Sequence, residues 1–177
     1  MKLLPTASQT VGPFLHIGLT WLTIDRLAAA NLPGDHVTID GQVIDGNGQP
    51  VTDALIEIWQ ANSAGQYCHP DFLGFGRVPT DGEGRFRFET VKPGPVADPA
   101  AGKQAPHLLV SVFMRGLLKR LVTRIYFPNE PRNADDFVLL RVPAERRATL
   151  VARQVAPGKL QWNVILQGVD ETVFFDC

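Results

Sequence analysis

Tyr67 and His69 stand two residues apart in a segment rich in Gly, Pro and Asp. If the backbone is extended there, the two side chains point the same way. A phenol beside an imidazole could then hold a metal weakly. His107 offers a further imidazole farther along the chain. His16 and His36 read as surface or packing residues. Tyr126, inside Thr123-Arg124-Ile125-Tyr126-Phe127, reads as a core or interface aromatic. Arg124 in that strand could serve an outward ion pair, or its guanidinium could bind a carboxylate. Thr10-Val11-Gly12-Pro13 reads either as a plain turn or as backbone that a ligand can approach closely.

The elements that must position these groups are mostly strands. Val37 to Ile44 alternates, Asp45-Gly46-Asn47-Gly48 supplies a turn, and Ala54 to Trp59 follows with Ile56 and Ile58 on one face. Residues 64–84 read as a long excursion. Arg85 to Thr90 alternates charge with aromatic, the pattern of a half-buried antiparallel strand. Pro93 to Gly102 reads as loop; His107 to Met114, Leu121 to Phe127 and Leu160 to Gln167 complete the strands. Thr20 to Asn31 reads as a short helix ended by Pro33-Gly34, and Ala144 to Arg153 as a second helix. The expected fold is all-β, an antiparallel or mixed sandwich with long loops and one or two short helices. Periodicity alone leaves a barrel open.

Length and composition fit one domain spanning residues 1–177, with 1–36 as an N-terminal arm. The net charge of −1 gives no electrostatic support for nucleic acid. Two cysteines, Cys68 and Cys177, make no disulfide framework and agree with a reducing cytoplasm. The N-terminal stretch is not read as a signal peptide, and no apolar run is long enough for a membrane helix.

Several blocks together resemble the intradiol ring-cleavage dioxygenases. They are Gly41-Gln42-Val43-Ile44-Asp45, Ile56 to Asn62, Gly65-Gln66-Tyr67, Thr80 to Phe86, Val91-Lys92-Pro93-Gly94-Pro95 and Ala105-Pro106-His107. The resemblance implies a ferric site of two tyrosinates and two histidines, with phenolate as a hard donor that suits Fe(III). On that pattern Tyr67 matches the first tyrosine and His107 the first histidine. Val96 and Leu109 stand where the second tyrosine and second histidine belong, and neither has a donor atom. Gln104 stands where active chains carry an arginine. Tyr67, Val96, His107 and Leu109 are thus expected to form a vestigial, filled pocket with no metal.

The match extends to Thr10 through Leu19, Phe75-Gly76-Arg77, Arg115-Gly116-Leu117, Thr123 to Phe127 and Glu171 to Asp176. These resemble the alpha-type, non-iron chains of heteromeric intradiol dioxygenases acting on protocatechuate. The resemblance implies a beta subunit carrying Fe(III), and a catechol carboxylate opened between its hydroxylated carbons to 3-carboxy-cis,cis-muconate. This chain would then support assembly and lend Thr10, Gly12, Pro13, Phe14 and Arg124 to the partner's substrate cleft, with the 1–36 arm at the interface. Exposed aromatics are expected among Phe14, Trp21, Phe174 and Phe175. Two other readings stand beside it: a β-sandwich that binds a ligand or partner without chemistry, and a divergent, self-sufficient intradiol dioxygenase using Tyr67, His69 and His107 with a different metal.

Overall fold

A computed structural model describes residues 7–98 and 102–176, apart from the side chain of His16. Two sheets face each other. The first is antiparallel, in the order β3 (Phe75–Pro79), β2 (Leu55–Trp59), β7 (His107–Phe113), β8 (Leu121–Tyr126). The second is mixed. Its β1 (His36–Ile44) pairs antiparallel with β4 (Arg85–Val91) on one side. On the other side β1 pairs parallel with β10 (Lys159–Gln161) and β11 (Val164–Ile165), and β10 pairs with β9 (Arg153–Ala156). A short hairpin of β5 (Val96–Asp98) and β6 (Gly102–Gln104) stands apart.

The alternation in the sequence is what joins the sheets. Ile39, Val43, Phe86, Phe88, Leu160, Trp162 and Val164 from one sheet pack in a single cluster with Ile56, Ile58, Leu108, Val110, Val112 and Ile125 from the other. Removing that apolar area from water is the main force holding the two layers together. Gly41 lies opposite Phe86 on the neighbouring strand, and a Cβ there would sit 2.2 Å from the Phe86 ring. The glycine is what lets the aromatic lie flat across the strand.

The helical expectations change. Past a single 3-10 turn at Thr20–Leu22, the segment runs extended instead of helical. Ile24 exchanges backbone hydrogen bonds with Arg77 of β3, while Leu27 and Asp25 bond to Glu89 of β4. Both strands have open edges there, and unpaired edge groups outcompete a helix of modest propensity. Ala144–Leu150 forms 3-10 turns where a helix was expected, and Arg153 belongs to β9. The α-helices are single turns, α1 (Phe14–Ile17) and α2 (Phe137–Leu140).

Candidate functional site

The outer face of the antiparallel sheet carries the side chains with chemistry. On β7, Leu108, Val110 and Val112 point into the core, so His107 and Leu109 point away from it. The register sets His107 against Tyr126, and Leu109 between Trp59 of β2 and Arg124 of β8. His107 and Tyr126 are nevertheless buried, because the chain after β8 folds over that end. Leu139, Val142 and Leu150 form a second apolar cluster there with Ala105 and Tyr126.

A chain of hydrogen bonds runs through this face. Gln104 Nε2 donates to Asp98 Oδ2 at 2.7 Å. Arg124 Nη1 donates to Gln104 Oε1 at 2.9 Å and to the Tyr126 hydroxyl at 3.3 Å. That hydroxyl donates to Asp136 Oδ1 at 2.9 Å. Asp136 is fully buried and also accepts from the backbone N–H of Ala105, Val138 and Leu139. It therefore caps α2 and ties that turn to the start of β7.

Two loops complete the face, and glycines bring them together. Gly65 has φ +80°, and a Cβ on it would meet the Pro95 carbonyl oxygen at 2.2 Å. A Cβ on Gly94 would meet the Ser63 carbonyl oxygen at 2.5 Å. Close backbone approach of this kind needs residues without side chains. It docks the Tyr67 loop onto the segment that leads into Val96. Val96 pairs with Gln104 across the hairpin, and the Tyr67 ring lies 5.0 Å from that of Trp59.

Electrostatics follow from burial and one cation. Burial lowers the His107 pKa to about 4, the Arg124 charge pushes the same way, and the bond from Nδ1 to the Ala105 carbonyl opposes. Burial raises the Tyr67 phenol, with Arg124 opposing. Burial raises the Tyr126 phenol far more. Arg124 thus acts on every phenol and imidazole of the face.

The four positions that the family resemblance singled out, Tyr67, Val96, His107 and Leu109, are brought to this one face. His69 is not part of it in the expected way. Cys68, between Tyr67 and His69, has φ +54°, so the run is not extended and the premise of a same-side pair fails. The His69 ring instead accepts from the Asp71 N–H at 3.3 Å. His36 is exposed and bonds to the Leu32 carbonyl, as a surface residue. Two of the five expected cleft residues have partners within this chain. Thr10 accepts from the Gly116 N–H in the β7–β8 turn, whereas Arg124 bonds to Gln104 and Tyr126 within this chain's own site. Of the expected exposed aromatics, Phe14 and Trp21 are exposed at 67% and 78%. Phe174 and Phe175 are partly buried against the two apolar clusters.

Comparison with known proteins decides the family. A family model described as Dioxygenase matches residues 19–168. The chain belongs to the intradiol dioxygenase family. The protocatechuate 3,4-dioxygenase alpha chain of Burkholderia cepacia is 45% identical, over 97% of this chain and 96% of its own length. The beta chain from the same organism is 39% identical, over 93% of this chain and 77% of its own. Among solved structures, the dioxygenase domain of a dioxygenase–carbohydrate-binding fusion from Streptomyces sp. SirexAA-E superposes with a TM-score of 0.67 at 29% identity, covering 82% of this chain and 88% of that one. The mixed β-sandwich is the fold that the sequence pattern implied, and no helix among the described residues is long and apolar enough to cross a membrane.

Intradiol dioxygenases use iron. The residues on this face do not fit one. Val96 and Leu109 have no donor, the Tyr126 phenol is committed to Asp136, and a guanidinium lies among the rest. Among the described residues no cluster of His, Cys, Asp and Glu could hold a metal. Sequence reasoning missed Asp136 and Trp59. Asp136 had a signal, an aspartate directly before Phe-Val-Leu-Leu in the N-cap position.

Proposed function

We propose that this chain is the alpha subunit of a cytoplasmic protocatechuate 3,4-dioxygenase. It assembles with an iron-bearing beta chain, and the pair opens protocatechuate between its hydroxylated carbons. The observation that carries this reading is near end-to-end similarity to an alpha chain, joined to a ligand face that offers Tyr67 and His107 but no further free donor. The ferric centre then belongs to the partner. Iron there makes the bound catechol electron-rich enough to react with O₂.

This chain's contribution is assembly and shaping of the substrate cleft through its N-terminal arm, residues 1–36. Gly12 supports that role. A Cβ built on it meets nothing within 4 Å, so packing inside the chain gives no reason for glycine there. Close approach by a partner or ligand does give one. Thr10, Pro13 and Phe14 flank it in the same exposed stretch. The Phe14 ring lies over Gly18 and is exposed. Arg124 enters the cleft only if assembly opens a path to its side of the sheet. The test is co-expression with the beta chain, then iron analysis and a ring-cleavage assay. The expected outcome is activity and iron in the complex and neither in the chain alone. A purified single chain that holds one iron and turns over protocatechuate would overturn the reading.

A further inference from the structure

We propose that the Arg124 guanidinium is this chain's substitute for a metal: a cation built into β8 that occupies the donor face and closes it to iron. The inference goes beyond the proposed function, since it needs no partner.

Three observations place the cation there. Arg124 is the register partner of Leu109, which in turn lies beside Trp59, on whose ring Tyr67 rests. Its Nη1 donates to Gln104, the register partner of Val96. It also donates to Tyr126, the register partner of His107. Val96, His107 and Leu109 are therefore each paired with Arg124 or with a residue it bonds, and the Arg124 charge also acts on the Tyr67 phenol.

The guanidinium is also held. Gln104 is anchored on Asp98, and Tyr126 on the buried carboxylate of Asp136. Asp136 cannot swing away without abandoning three backbone N–H groups. A metal entering beside Arg124 would meet a fixed charge of its own sign in a part-buried setting, where screening is weak. Guanidinium keeps its proton under all ordinary conditions, so the repulsion does not relax with pH. Missing donors make iron weakly bound; the arginine makes the site actively hostile to it.

The two effects separate by substitution in the full chain. Val96→Tyr with Leu109→His supplies the donors and leaves the cation. Adding Arg124→Ala removes the cation. The triple variant is expected to take up about one ferric ion per chain, with the phenolate-to-iron absorption band, and the double variant to bind on the order of a thousandfold more weakly. Iron analysis and visible spectra read both. Equal binding by the two variants would overturn the proposal, as would a folded triple variant that stays free of iron. Should the triple variant fail to fold, the unaltered chain decides. The side-chain nitrogen NMR signals of Arg124 should be resolved and slowly rotating if the guanidinium is seated. Signals averaged like those of surface arginines would refute it.

Discussion

His107 gives this chain a pH-dependent stability that can be calculated. Its imidazole is buried beside Tyr126 and donates through Nδ1 to the Ala105 carbonyl at 2.7 Å, which fixes the Nδ1–H tautomer of the neutral ring. Burial and the Arg124 charge hold its pKa at about 4 in the folded chain, against the Asp136 carboxylate, which favours the charged form. In the unfolded chain the value is the ordinary 6.5. Above 6.5 the imidazole is neutral in both states and the difference contributes nothing. As pH falls through 6.5 the unfolded chain takes up a proton that the native chain refuses, so stability declines until about pH 4. The whole gap is worth on the order of 3 kcal/mol, of which roughly 2 kcal/mol is lost between pH 7 and pH 5. Urea unfolding of the purified chain at those two pH values measures it. His107→Asn keeps an N–H for the Ala105 carbonyl and removes the titration. The variant should lose roughly 2 kcal/mol less than the parent over the same interval. Parallel losses in the two proteins would refute the reasoning, because the other histidines and the carboxylates are common to both.

Two further outcomes follow from the same structure. Asp136→Ala strips acceptors from the Ala105, Val138 and Leu139 N–H groups and from the Tyr126 hydroxyl; a loss of on the order of 3 kcal/mol or more is expected in chemical denaturation. Phe14→Ala or Trp21→Ala removes a ring exposed at 67% or 78%; the isolated chain should unfold as before, while assembly with the beta chain weakens by roughly 1–3 kcal/mol in sedimentation measurements.

The strands were legible where one face met water and the other met the core. Ile39 and Val43, or Phe86 and Phe88, announce period two whatever surrounds them. β3 was not legible, because Phe-Gly-Arg-Val-Pro contains a glycine and a proline that usually mark loops. Gly76 sits in the strand because a Cβ there would lie 2.7 Å from Leu27 and 2.9 Å from Phe88. Residues distant in sequence imposed it. The stretch after Leu22 was misjudged for a similar reason, since the open edges of β3 and β4 lie far along the chain. For the site, the identities of Tyr67, Val96, His107 and Leu109 were visible, and so was the lack of donors. Arg124 was expected to face a partner. Its bonds to Gln104 and Tyr126 depend on how β6 and β8 are juxtaposed, which periodicity does not encode.

The face around His107 separates two kinds of residue, those whose side chains could donate to a ligand and those that hold the frame. The first kind are single side chains: Tyr67 and His107 carry donor atoms, and Val96 and Leu109, both half-buried, carry none. The scaffold behind them is different in kind. Gly65 and Gly94 admit backbone contacts that any side chain would block. Asp136 satisfies three N–H groups and a phenol at once in a buried setting, and unmade bonds there cost far more than the net worth of any one of them. Positions 96 and 109 can therefore be exchanged without disturbing the frame, because its stability rests on the glycine contacts and on Asp136.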